Sequence, residues 1–152
     1  MNENEEIKTL KILLDGVRGK LDFQLNSDNS LDTKSGVLIA LLGTVTIFYI
    51  NILNNPYYCF NFIPLIFIGI SAFYILEAIK TQKYNTGLID VYDENKKYRD
   101  MKEYDLLNQL LSDYQKAFDD NSKILKNKNK NYKKGLNFFL ISILLIIILS
   151  II

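Results

Sequence analysis

The chain has 152 residues, 49% of them hydrophobic and 23% charged, with a net charge of +1. That balance supplies no broad basic field of the kind that gathers a nucleic acid polymer. A single cysteine, Cys59, and the absence of histidine exclude an intrachain disulfide, a cysteine-based zinc site, and the Ser-His and Cys-His dyads.

The averages conceal segregation, because charge is almost absent from three windows and dense elsewhere. Residues 5–25 come first. Ile7, Leu10, Leu14, Val17 and Leu21 recur at spacings of three and four, which predicts an amphipathic helix. Gly16 and Gly19 weaken it by about 1 kcal/mol each relative to alanine. Packing against the rest of the protein is the expected fate of its apolar stripe, and lying flat on lipid is the alternative. The acidic start and the late first apolar span are not those of a cleavable signal peptide.

Residues 26–35 are polar throughout except Leu31, and predict a hinge in which Ser30 or Asp32 caps the next helix. Residues 36–53 form the first apolar span. Gly36, Ala40 and Gly43, with Thr44, share one face of it, where small side chains let a neighbouring helix approach. Internal packing against the other spans is the favoured use of that face, ahead of self-association. Asn54-Asn55-Pro56 predicts a turn, and Tyr57, Tyr58 and Phe60 suit a headgroup interface. The second span covers about 57–78, with Pro64 marking its first turn or a kink, and with Glu77 and Lys80 at its far, interfacial end.

Residues 81–100 are mixed, and 87–92 read as a short strand or an irregular connector. From about 98 to 134 a long helix is predicted. Leu107, Leu110, Tyr114, Ala117, Asn121 and Ile124 repeat at three and four, widened by Leu111, Phe118 and Leu125. Acids occupy its first part, whereas Lys123, Lys126, Lys128, Lys130, Lys133 and Lys134 fill its last part without an acid among them, matching the helix dipole. This collar abuts 135–152, an uncharged stretch close to the length that crosses a bilayer's hydrocarbon core. No proline interrupts 98–152, so the helix is free to run into that span.

The loop over 51–61 has no Lys or Arg, whereas 79–135 is rich in lysine and also holds Arg99, which orients 81–134 and the N-terminus to the cytoplasm and the end of the third span to the outer face. The expected fold is all-α, an integral membrane protein with three transmembrane helices, an N-terminal amphipathic helix and a long cytoplasmic helix continuing into the last span. Its parts are a helix and hinge at 1–35, a transmembrane hairpin at 36–80, a cytoplasmic helical region at 81–134 and a third transmembrane helix at 135–152.

Chemistry is sparse. There is no glycine-rich phosphate loop and no metal-spaced cluster, and Asp90, Asp93 and Glu94 lack the spacing of a calcium loop. Tyr84, Tyr92, Tyr98 and Tyr104 near Lys and Arg read as a solvated face, with base stacking the alternative. The lysine collar reads as an orientation anchor touching lipid headgroups, and binding of an anionic signal is the alternative use. No catalytic residue, metal or cofactor is expected.

Leu31-Asp32-Thr33-Lys34-Ser35-Gly36-Val37-Leu38 stands at the mouth of span one, followed by span two, then Tyr104-Asp-Leu-Leu-Asn-Gln-Leu-Leu111, Lys123-Ile-Leu-Lys-Asn-Lys128 and a final span. This layout, over about residues 20–150, resembles the Pycsar transmembrane effectors of cyclic-nucleotide antiphage systems. Members of that family carry an Asp-x-Lys-Ala motif before span one and a lysine-containing helix before the last span. Here Asp32 and Lys34 match the motif and Ser35 stands in place of its alanine. No proline-rich segment follows span two. The resemblance implies a bacterial inner-membrane protein, quiet until infection. A cyclic pyrimidine nucleotide from a partner cyclase then triggers homo-oligomerisation and membrane damage. Asp32 and Lys34 stand where the N-terminal helix joins span one, a place for a hinge, and are expected to pair with the cytoplasmic helix at rest. The competing expectation is a non-enzymatic membrane scaffold, or a small toxin acting without a nucleotide.

Overall fold

The computed structural model describes residues 3–52, 62–80, 84–85 and 101–151. Three helices account for nearly all of them: α1 over Glu3–Ile52, α2 over Ile63–Ile79 and α3 over Glu103–Ile151. No strand occurs among the described residues. The turn at 54–56 and the strand or connector at 87–92 lie outside them. Helices α1 and α3 are each long and apolar enough to cross a membrane, whereas α2 is a shorter apolar helix of 17 residues, about 25 Å in length.

The predicted hinge at 26–35 is corrected by the structure, because these residues continue α1 without a break. Their polar side chains cost a few tenths of a kcal/mol each in helix propensity, and the stretch from Lys20 to Ser35 contains no glycine or proline. Its seam-facing positions, Asp28, Leu31 and Ser35, are all buried, so packing outweighs propensity. Ser30 and Asp32 lie inside the helix and cap no new start, and the hydroxyls of Ser27 and Thr33 donate to the carbonyls of Phe23 and Asn29, one turn back. Pro64 lies in the first turn of α2, where its missing N–H has no cost, and it makes no kink.

The chain divides into two units. The first comprises Met1–Asp28 with Gln82–Leu125, and the second Asn29–Thr81 with Lys126–Ile152. In the first unit, Leu14 and Leu21 of α1 form a buried cluster with Leu107, Tyr114 and Ala117 of α3, flanked by Ile7, Leu10, Val17 and Leu110. The N-terminal stripe thus packs on protein, each leucine contributing about 1.5–3 kcal/mol by leaving water. Lys11 pairs with Glu103 and Gln24 with Phe118, so the two helices run parallel there. The guanidinium of Arg18 lies 5.2 Å from the centre of the Tyr114 ring.

In the second unit, Leu38 and Leu42 of α1, Ile68 and Ile75 of α2 and Phe139 of α3 make one core. Its tightest point is Gly135, whose carbonyl accepts a 2.7 Å bond from the buried Ser71 hydroxyl. A Cβ added there would lie 2.5 Å from Ile75 Cγ1 and 3.1 Å from the Ser71 carbonyl oxygen. Tyr74 stacks on Phe138 at 5.7 Å and the Lys134 ammonium lies 5.0 Å from the Tyr74 ring centre.

Candidate functional site

Both long helices bury positions spaced by three and four, the pattern of a coiled-coil seam. Along α1 the buried residues are Leu14, Leu21, Gln24, Asp28, Leu31, Ser35, Leu38, Leu42 and Tyr49. Along α3 they are Leu107, Tyr114, Ala117, Asn121, Lys128, Gly135, Phe139 and Ser142. Each series turns polar in its middle. A seam position that holds a polar side chain gives up apolar burial and demands a partner.

Within the first unit, the Gln24 amide nitrogen donates to the Phe118 carbonyl at 3.1 Å and to the Ser122 hydroxyl. Its carbonyl oxygen is buried and finds no partner among the described residues. Asp28 accepts a bond from the Tyr84 hydroxyl at 2.8 Å. Asn121, fully buried, accepts from the Asn85 N–H at 2.9 Å and donates back to the Asn85 carbonyl at 2.7 Å. Three hydrogen bonds therefore fasten residues 84–85 to polar seam positions. Of this set, only Asn121 stood out beforehand as a polar member of an apolar stripe. Tyr84 is joined to Asp28, and Asn85 to Asn121, through tertiary contacts alone.

Within the second unit, the Lys128 ammonium lies 2.9 Å from Asp32 Oδ1, and the Lys128 side chain is 2% exposed against 37% for Asp32. That oxygen is buried and makes no directed hydrogen bond, so the contact is an ion pair. Ser35 is fully buried and its hydroxyl has no partner among the described residues. Asp32 therefore meets the helix that carries the lysines, whereas Lys34 is exposed and makes no ion pair among the described residues.

The expected collar also divides. Lys126, Lys130, Lys133 and Lys134 are exposed, and Lys123 pairs at 3.3 Å with Asp120 on the surface. Lys128 is corrected from a lipid or ligand contact to a buried partner of Asp32, because its place in the three-four pattern turns it inward. The small-residue face is corrected too. Gly36, Ala40 and Gly43 are exposed, and a Cβ at either glycine would meet nothing within 4 Å. Internal packing leaves this face uncovered, because the buried side of α1 is that of Leu38 and Leu42.

The first unit also carries a cleft of about 230 Å³ lined by Arg18, Leu21, Asp22, Leu25 and Tyr114. A family model described as PycTM, the Pycsar effector protein domain, matches residues 23–152. The chain belongs to the Pycsar effector family. No curated protein and no solved structure matches it. As a Pycsar effector with two helices long and apolar enough to cross a bilayer, it is a membrane-associated effector of antiphage defence. The matched stretch includes every polar seam residue described above, from Gln24 to Lys128. Arg18 and the leucine-rich start of the first unit's seam precede it in the chain.

Proposed function

We propose that this effector waits in the bacterial inner membrane and, when triggered by a cyclic pyrimidine nucleotide from a partner cyclase, oligomerises and impairs membrane integrity. The observation that carries the reading is the run of polar side chains in the seam positions of α1 and α3. A seam built wholly of leucine has one strongly preferred packing. Polar and charged layers lower that preference, and their partners can be exchanged for others at small net cost. A resting arrangement held by Asn121–Asn85, Asp28–Tyr84 and Asp32–Lys128 suits a switch between two packings.

Three spans, formed by the second half of α1, by α2 and by the second half of α3, complete the proposed topology, with the N-terminus and residues 81–134 cytoplasmic and the end of α3 at the outer face. Asp32 and Lys34 act in this reading at the entry of the first span. The exposed lysines of α3 meet anionic headgroups. Arg18 and Asp22 offer a cation and a carboxylate beside one opening, the groups that recognise a phosphate and a polar base edge. We place the nucleotide there. The effector acts by rearrangement, without an enzymatic step or a cofactor.

The test is dye leakage from liposomes holding the purified full chain, with cyclic UMP, cyclic CMP or neither. Leakage that appears only with nucleotide, and is lost in Arg18→Ala, supports the reading. Leakage without nucleotide makes the protein a constitutive toxin. No leakage from correctly inserted protein leaves the scaffold reading in its place.

A further inference from the structure

The outer side of α1 carries a second three-four stripe, distinct from its buried seam. From Thr9 to Ile47, stepping alternately by three and four, no position holds a charged side chain, and every one is exposed. Within a membrane span this is ordinary. It is not ordinary over residues 9–33, where the same helix carries Lys11, Asp15, Arg18, Lys20, Asp22 and Asp32 on its other sides. There the stripe holds Ile12, 64% exposed, and Phe23, 72% exposed. Between them lie Gly16 and Gly19, where an added Cβ would meet nothing within 4 Å. The stripe's threonines also hide their polarity, since the hydroxyls of Thr9, Thr33 and Thr44 donate to the carbonyls of Glu5, Asn29 and Ala40 in the preceding turn. Asn26 and Ser30 are exposed polar members of the stripe, but a helix face free of charge and rich in small residues suits another helix of the same pattern.

We infer that this face is the contact between copies of the chain, with α1 of one copy packed in parallel against α1 of the next. The inference rests on the oligomerising membrane effector proposed above and names the surface it uses. Copies inserted in one bilayer share one orientation, so identical faces meet in parallel register. The flanking charges fit that register. In a parallel pair, a residue beside the stripe faces the residue five positions later on its neighbour. Asp15 then faces Lys20 of the second copy, and the same occurs in reverse by symmetry. The other flanking pairs, Lys8 with Leu13, Asp22 with Ser27 and Asn29 with Lys34, oppose no like charges. Asp15 and Lys20 are both exposed and make no ion pair among the described residues within the chain. Gly16, Gly19 and Ala40 allow close backbone approach, and Ile12, Phe23, Val37 and Ile47 fill the spaces between.

The experiment is disulfide trapping of the full chain in phosphatidylethanolamine–phosphatidylglycerol vesicles, in a Cys59→Ser background, with and without cyclic UMP and cyclic CMP. Asn26→Cys and Thr33→Cys, both on the stripe, are expected to yield a covalent dimer in at least one condition. Lys116→Cys, on an exposed face of α3, is expected to yield none. Adding Asp15→Lys is expected to abolish the dimer trapped at Asn26→Cys, and adding Lys20→Asp as well is expected to restore it. An amine-reactive cross-linker serves as the independent measure of association. If it captures oligomers while the stripe cysteines stay monomeric, or if the charge swaps leave trapping unchanged, this interface is wrong and oligomerisation stands. If it captures nothing under any condition, the oligomer reading itself fails.

Discussion

Replacing Gly135 by alanine is the sharpest probe of how the second unit is held. In an exposed helix in water the change gains about 1 kcal/mol of propensity. Here the added Cβ would lie 2.5 Å from Ile75 Cγ1 and 3.1 Å from the Ser71 carbonyl oxygen. Both Ile75 and Ser71 are fully buried, so neither has room to withdraw. Overpacking of this kind costs about 1–3 kcal/mol. Displacing α2 also lengthens the 2.7 Å bond from Ser71 to the Gly135 carbonyl, which is worth about 0.5–1.5 kcal/mol. The expected net effect of Gly135→Ala is a loss of about 1–3 kcal/mol. The control is Gly69→Ala on α2, where a Cβ would meet nothing within 4 Å, and which is expected to be neutral or slightly stabilising. Circular dichroism at 222 nm, followed through an SDS titration from dodecyl maltoside micelles, reads both. Equal stability of the two variants would refute the close contact between α2 and α3.

Three further outcomes follow from the polar seam positions. Asp32→Asn leaves the buried Lys128 ammonium without its ion-pair carboxylate. Removal of one partner of a buried pair costs about 3–5 kcal/mol, and the partial exposure of Asp32 places the effect below that range. Adding Lys128→Met is expected to recover most of the loss, so a double-mutant cycle in the same titration shows strong coupling, and independent effects would contradict the pairing. Ser35→Ala removes a buried hydroxyl with no partner among the described residues, and is expected to stabilise by about 1 kcal/mol, read as a later midpoint. Asn121→Leu replaces a polar seam layer and deletes both bonds to Asn85. Hydrogen exchange at Asn85 is expected to accelerate, and nucleotide-triggered leakage to fall, while the α1–α3 seam itself holds.

The helices were legible because their signals are local. Apolar residues at three and four from Ile7 to Leu21 and from Leu107 to Ile124 mark one face of a helix wherever its partner lies. The Asp32–Lys34 motif and the layout around it were enough to indicate the family. The break expected at 26–35 failed because residue preference is only a weak local term. The energy that decides it comes from Asp28, Leu31 and Ser35 being covered by other parts of the chain. Lys128 looked like any member of the collar, since a lysine's charge is visible in a sequence and the direction it faces is not.

Sequence by itself therefore determined that the chain is helical, which faces of its helices are apolar and which family it belongs to, through periodicity and charge placement within a few turns of chain. Only the tertiary structure decided which side chain meets which. The pairing of Asp32 with Lys128, the fastening of Asn85 to Asn121 and the contact of Gly135 with Ser71 join residues 96, 36 and 64 positions apart. Such contacts depend on the register and facing of whole helices, a property of their packing that no single stretch of the chain encodes.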